Sequence, residues 1–257
     1  MPWTPAHAAA VLPLRRLTGQ GRLSFAGLVV GSMSPDFGYY IGSFGLASFA
    51  HTPPGILAVC LPAGLLVLFV ALRMREPVAH LLPKPHRQAL LAMGAVRGPT
   101  GIRSILLVTV SLAIGAATHI AWDAFTHERG LFVQGIAMLR EPVVTVLGRD
   151  VLVFNIAQHA STAFGTLCLA LAYGRYARRF GALDVLGAGD RRRLALLVGI
   201  LVAALVCATP FAISGATGTD GAINYSRLLI LEVMHATTAF FVFLACAALW
   251  LSKGRNA

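Results

Sequence analysis

"SILLVTVSLAIGAATHIAWDAFTH", Ser104–His127, decides how this chain is read. Its first half is apolar or small almost throughout, while "THIAWDAFTH", Thr118–His127, carries two histidines and an aspartate. A helix needs about 20 apolar residues to cross the hydrocarbon core of a bilayer. Ionisable groups inside such a segment are costly and usually functional. The stretch therefore predicts a membrane span with chemistry at one end.

Similar runs lie on either side. With this one they make five: Gly55–Arg73, Arg103–Trp122, Val151–Tyr173, Leu194–Ile213 and Leu228–Leu251. The 257 residues are 57% hydrophobic and 12% charged, about half the ~25% charge of a soluble domain. Mean hydropathy is +0.74. The expected fold is all-α: one polytopic membrane bundle, residues 1–257, with about five spanning helices and two short N-terminal helices at half depth or at the interface. No internal repeat is visible.

The net charge of +11 is unevenly spread. Arg73, Arg75, Lys84, Arg87, Arg97 and Arg103 follow the first run. Arg175, Arg178, Arg179, Arg191, Arg192 and Arg193 lie between the third and fourth, and Lys253 and Arg255 follow the fifth. Those alternate loops hold 14 of the 21 Lys and Arg, whereas the opposite loops, 128–150 and 214–227, hold Arg129, Arg140, Arg149 and Arg227. Positive-inside bias puts the basic loops and the C-terminus in the cytoplasm. It accounts for the basicity without a nucleic-acid partner. Cys60, Cys168, Cys207 and Cys246 all fall in apolar runs without a CxxC pair and read as small core residues.

Residues 1–54 are less regular. "MPWTPAHAAAVLPLRR" has its basic residues after the apolar run, unlike a signal peptide, so His7 is expected in the mature chain. Thr4 and Pro5 predict a capped helix to about Leu17. Leu23–Met33 reads as a second short helix stopped by Pro35, a tilted span over Leu23–Phe44 being the alternative. "GSMSPDFGYY" would break the backbone at membrane depth, which is tolerated where protein or a wet cavity covers it. Glu76–Ile102 reads as a polar cytoplasmic loop, and Leu131–Leu147 as a lid or interfacial helix on the outer surface.

The eight histidines sharpen the reading. His80 and His86 sit in the basic loop and read as solvated. The topology brings His51, His119, His127, His159 and His235 to one level, with Asp123 and Glu232, and His7 and Asp36 can join from the N-terminal helices. His119 and Asp123 are spaced i,i+4, and Glu232 and His235 i,i+3, so each pair shares a helix face. Imidazole and carboxylate together suit zinc or a similar divalent ion. Taken singly the residues have blander readings: a buried hydrogen-bonder at His159, an interhelical polar pair at Glu232 and His235, a turn cap at Asp36, an interfacial loop residue at His51. Their convergence favours metal. No P-loop or Ser-His-Asp order is present, and "HERG" at His127 lacks the second histidine of a zincin helix.

"MPWTPAHAAAVLPL", "GSMSPDF", "HTPPG", "THIAWDAFTH" and "QHAS", in that order, resemble an uncharacterised bacterial membrane-protein family, number forty-one eighty-four of the domains of unknown function. The same elements look like the group labelled inner-membrane metal-dependent hydrolases. More distantly, their order is similar to zinc-dependent phospholipase C and the P1-type nucleases, helical phosphoester hydrolases. That likeness implies His7, Asp36, His51, His119, Asp123, His127 and His159 as ligands, with Asp123 bridging two metals. Two departures, Trp3 behind two residues and Ala163 where those enzymes carry Glu, point to one or two ions rather than three: either Glu232 substitutes from the last helix or one ion is absent.

The expected function is a metal-dependent hydrolase of a lipid phosphoester or diphosphate, at the outer face of the bacterial inner membrane. Asp36, His51, His119 and Asp123 would hold one ion, and His7, His127 or His159 a second. Zinc is the expected metal, with manganese or magnesium as alternatives, and Asp36 doubles as proton acceptor. Membrane lipid or a lipid-linked phosphate is the expected partner. The rival readings are a non-enzymatic metal or haem protein and a divalent-ion transporter.

Overall fold

The computed structural model describes residues 3–19, 22–93, 101–146, 149–181 and 187–253. Arg97, Leu147 and Arg255, used above, lie outside them. The described chain is overwhelmingly helical. Four of its helical segments, Pro53–Leu81, Ile102–Gly135, Ala188–Ala216 and Tyr225–Ser252, are long and apolar enough to cross a membrane.

The N-terminal stretch is not one α-helix. Thr4–Val11 and Pro13–Leu17 coil as two 3-10 helices, each opened by a proline. Trp3 stands at the N-cap and makes no side-chain cap bond, and the Thr4 hydroxyl donates to Asp36. Ser24 caps α1 (Phe25–Gly31) by accepting from the Gly27 N–H. A 3-10 turn at Ser34–Asp36 follows, then α2 (Phe37–Tyr40) and α3 (Phe44–Ala50).

Thr52 caps α4 (Pro53–Gly55), which runs through a π-helical turn at Ile56–Cys60 into α5 (Leu61–Leu81). The loop expected from Glu76 thus begins as helix. The apolar residues beyond Pro77 supply the reason, since Ala79 and Leu81 are buried. A second short helix, α6 (His86–Met93), stands in the same stretch.

Next come α7 (Ile102–Thr126) and α8 (Leu131–Gly135). The apolar segment after α8 is a hairpin and not the expected continuous helix: β1 (Pro142–Val146) pairs antiparallel with β2 (Arg149–Leu152). Val143, Val144, Thr145 and Val146 are all β-branched, which favours a strand. Three long helices complete the chain: α9 (Val153–Ala177), α10 (Ala188–Ala216) and α11 (Tyr225–Lys253). α9 covers the third apolar run but is not among the four candidate spans. Asn155, Gln158, His159, Ser161 and Thr162 make its first half polar.

The chain divides into two compact units. The first comprises Met1–Gly38, Ser43–Phe69 and Gly98–Gly174. Here α1 lies against α7 at a crossing where two glycines let the backbones meet. A Cβ on Gly31 would strike the Leu112 backbone, and one on Gly115 the Leu28 carbonyl and, at 2.7 Å, the Ser32 nitrogen. Ala50, Cys60 and Ala116 form a small core at the junction of α3, the π-helical turn and α7. The second unit comprises Tyr39–Gly42, Val70–Arg97 and Arg175–Ala257. In it α10 presents Ile200, Ala204, Ala208, Ala212 and Ala216, one small or branched residue per turn, and α11 packs along the helix. Leu81, Ile200, Leu244 and Ala248 make one core cluster there, and Ala212, Ala216 and Leu231 another.

Candidate metal centre

The first unit holds a buried polar cluster built mainly on α7. The inward face of that helix carries Ser111, Leu112, Gly115, Ala116, His119, Asp123 and Thr126, all buried. His119 and Asp123 are successive members of the stripe. The short N-terminal pieces supply the rest. A 3-10 helix has three residues per turn, so Thr4 and His7 eclipse one another. Thr4 Oγ1 donates to Asp36 Oδ2 at 2.6 Å, and His7 Nε2 lies 3.5 Å from Asp123 Oδ1. His51 ends α3, and His127 ends α7.

Two imidazoles are anchored through the same atom. His119 Nδ1 donates to the Ser32 carbonyl at 2.8 Å, and His51 Nδ1 to the Ala47 carbonyl at 2.7 Å. Both therefore turn Nε2 toward the carboxylates, the arrangement that orients metal-binding histidines. His51 Nε2 is 3.4 Å from both Asp36 Oδ1 and Asp123 Oδ2, and His119 Nε2 is 3.6 and 3.2 Å from the same two oxygens. Ligands about 2.0–2.2 Å from a tetrahedral ion stand about 3.3–3.6 Å from each other. These four separations fall close to that edge length, and two sets of three donors have all their ligating atoms within 4.8 Å of one another: Asp36, His51 and His119, and His7, His119 and Asp123; either could hold a divalent cation.

Asp123 faces two ways. Oδ2 belongs to the set just described, while Oδ1 lies 3.2 Å from His127 Nδ1 and 3.5 Å from His7 Nε2. His7 Nε2, His119 Nε2 and Asp123 Oδ1 are buried and have no hydrogen-bond partner. An unpaired buried polar atom costs about 1–3 kcal/mol; three together fit a site formed for a ligand. The His7 and His119 rings stack with centroids 3.7 Å apart.

The electrostatics point the same way. Burial alone would lower the His51 imidazole, but hydrogen bonds to Asp123, Asp36 and the Ala47 carbonyl override it and raise the pKa to about 10. Burial would lift the Asp36 carboxyl; His51, His119 and Thr4 outweigh it and hold the pKa below the usual range. Burial, aided by His119, lowers His7 to about 4 despite the two carboxylates. Two carboxylates pulling this hard on a proton will also favour a compact divalent cation.

Of the nine residues expected as ligands, the structure brings six together: His7, Asp36, His51, His119, Asp123 and His127. His159 is exposed, and its neighbour Gln158 is the one buried, with Nε2 3.4 Å from His127 Nε2. One residue along a helix turns the side chain about 100°, so "QHAS" puts the glutamine inward. Glu232 accepts from Thr209 Oγ1 at 3.3 Å, and His235 sits beside Phe211 with ring centroids 6.1 Å apart. Among the described residues, neither they nor His159 belongs to a group of three ligating atoms within 4.8 Å.

Sequence reading missed Thr4, Gly31, Gly115 and Gln158. Only Thr4 left a usable signal, an i,i+3 spacing to His7 that becomes an alignment once the segment is 3-10. A family model described as Domain of unknown function (DUF4184) matches residues 1–250. The chain is a DUF4184 protein. The match takes in every residue of the cluster. No curated protein and no solved structure matches this DUF4184 chain.

Proposed function

We propose that this DUF4184 protein is a metal-dependent hydrolase of the bacterial inner membrane, acting on a lipid phosphoester or diphosphate at the outer face. The observation that carries the reading is the pair of three-donor sets, Asp36, His51 and His119, and His7, His119 and Asp123, each with its ligating atoms within 4.8 Å of one another, with His51 and His119 anchored through Nδ1. A divalent ion there, zinc or manganese, supplies Lewis acidity toward phosphoryl oxygens and an activated water. The partial exposure of the His51 and His127 side chains, 21% and 29%, leaves one side open to substrate. Asp36 Oδ2 is already satisfied by Thr4, which suits a fixed ligand better than the proton acceptor also expected of it. His7 and Asp123, which share a three-donor set with His119, are the residues that would serve a second ion.

The membrane placement rests on the candidate spans and the charge asymmetry of the loops. Four candidate spans together with α9 give five crossings, with the C-terminus cytoplasmic. The cluster, at the C-terminal end of α7 and before the first span, then lies at the outer face, where a lipid headgroup meets water. The rival haem reading is disfavoured by geometry. Bis-histidine haem needs imidazoles opposed across the macrocycle, whereas His7 and His119 stack directly on one another.

The test is metal content of the detergent-purified protein, wild type beside His119→Ala, followed by hydrolysis of phospholipids and prenyl diphosphates. Bound zinc or manganese that falls in the variant, with phosphate released by the wild type alone, is the expected result. Equal turnover by both proteins would remove the mechanism, and a metal-free wild type prepared without chelator would remove the site.

A further inference from the structure

We propose that the β1–β2 hairpin is an interfacial anchor, lying flat on the bilayer surface with a valine face in the acyl chains; this rests on the membrane placement above. Paired strand residues share a face, and successive residues alternate between faces. Val144 pairs with Val151, and Thr145 with Asp150. Val144, Val146 and Val151 therefore share one face, with Arg149 paired to Val146 at the tip. Thr145 and Asp150 share the other, where the Thr145 hydroxyl donates to Asp150 Oδ1 at 2.6 Å. Val143 is the extra residue of a bulge between Pro142 and Val144. Val143, Val144 and Val146 are 57%, 50% and 51% exposed.

A two-stranded hairpin is marginal in water unless something packs on it. All five residues of β1 are exposed, so no described element covers its valines. The base of the hairpin, in contrast, is tied down. The Leu152 N–H donates to Asn155 Oδ1 at 3.0 Å, and the Val153 N–H to the Glu141 carbonyl at 3.1 Å. On the entry side Val133 is buried, and Phe132 stacks on Phe125 of α7 with centroids 4.0 Å apart. A further strand does not supply the cover, because Pro142 has no N–H and the bulge twists the edge, both devices that keep strands off. A second copy does not suit it either. Four valines fall far short of the about 20–30 residues that a stable interface takes from each side. Lipid is continuous with the hairpin, since the chain arrives from the candidate span Ile102–Gly135 and leaves directly into α9. Exposed Leu131 and Met138 extend the apolar surface along that entry. Unpaired strand edges are not tolerated within the hydrocarbon. That sets the valines at the headgroup–acyl boundary, about 5–10 Å deep, as for an interfacial helix. The Phe125–Phe132 stack then ties this depth to the end of α7 that carries His127.

The test reads depth by tryptophan emission. Full-length protein, with Trp3, Trp122 and Trp250 changed to Phe, is reconstituted in vesicles of phosphatidylcholine and phosphatidylglycerol. One tryptophan is then returned at a time. Val144→Trp, Val146→Trp and Thr145→Trp sample the two faces, and Val110→Trp, at an exposed position of α7, reports the span. The three hairpin positions are exposed and tryptophan suits a strand, so these replacements keep the fold. Lipids brominated near the glycerol end should take emission from positions 144 and 146 and spare 145, which iodide in the water should quench instead. Lipids brominated near the chain ends should quench Val110→Trp most. Emission at 144 and 146 that ignores brominated lipid, while Val110→Trp responds, would overturn the anchor, whether water or a second copy covers the valines. Equal quenching at 144, 145 and 146 would overturn it too, because the Thr145–Asp150 face would then lie in lipid. A Val110→Trp protein that responds to neither lipid would instead overturn the membrane reading itself.

Discussion

α7 and α11 carry nearly the same signal: a histidine and a carboxylate one turn apart in an apolar helix. On α7, His119 and Asp123 are buried among four further ligand-type side chains. On α11, Glu232 takes one long hydrogen bond from Thr209, and His235 lies against a phenylalanine ring. The helices do not differ in what they offer but in what is packed on them. α11 meets a stripe of alanines. α7 meets three short, irregular pieces that each carry a polar group to the cluster: the 3-10 helix with Thr4 and His7, the turn with Asp36, and α3 with His51. A regular helix can place two ligands on a face; closing a coordination shell takes segments too short to have a repeating face of their own.

The sharpest way to break the comparison is to remove one member of each pair. Asp123→Ala takes a carboxylate from all four imidazoles and should abolish stoichiometric metal binding, lowering affinity by more than about 100-fold. Glu232→Gln and His235→Ala should leave the metal-to-protein ratio at the wild-type value. Metal analysis of the three variants, prepared side by side, checks this. Loss of metal in either α11 variant would mean that the α11 pair also serves the site.

A second contrast lies in how each helix is approached. Gly115 lies one turn before His119, and a Cβ there would meet the Ser32 nitrogen at 2.7 Å, beside the carbonyl that fixes the His119 ring. Gly115→Ala should force α1 away from α7, costing about 1–3 kcal/mol of stability as overpacking does, and should weaken metal binding because Ser32 moves with it. Ala212→Ser on α10 changes a buried small residue without touching a ligand and should spare metal binding. Thermal unfolding of each variant with and without added Zn²⁺ reads both effects. A Gly115→Ala protein stabilised by zinc as strongly as wild type would contradict the link between helix crossing and ring orientation.

Thr4→Val and Thr4→Ser come next. Valine keeps the shape and loses the donor to Asp36 Oδ2; serine keeps the donor. Valine should weaken metal about 10-fold, at the low end for an outer-shell partner, and serine should recover most of it. Equal affinity in both would show that Asp36 is held without Thr4.

The helical, membrane-type character was legible because apolar run length is a direct physical requirement, and the runs at 55–73, 194–213 and 228–251 lie within observed helices. His119 and Asp123 were legible because i,i+4 spacing means one face in any α-helix. His7, Asp36 and His51 were recognisable as residues, but their convergence depends on backbone turns around Pro13, Pro35 and Pro53 that no periodicity encodes. His159 misled because helix phase along α9 is fixed by the inward packing of Gln158 and by Gly165, where a Cβ would meet the Ala6 carbonyl at 2.9 Å. The strand at Pro142–Val146 was hidden by apolar composition alone, although its β-branched run was there to be read.

The smallest expected effect tests the bland half of the comparison. Thr209 Oγ1 bonds both the Leu205 carbonyl, at 2.9 Å, and Glu232 Oε1, at 3.3 Å. Thr209→Val leaves the Glu232 carboxyl without that contact and removes a bond that in membrane bundles averages about 0.6 kcal/mol. For a chain of this size that corresponds to about 1–2 °C in Tm. Metal content should be unchanged. The outcome matters in the other direction: a drop of more than about 5 °C would mean that the Glu232 side chain depends on Thr209. The α11 pair would then have a cost that packing does not explain, and the likeness between the two helices would extend to function.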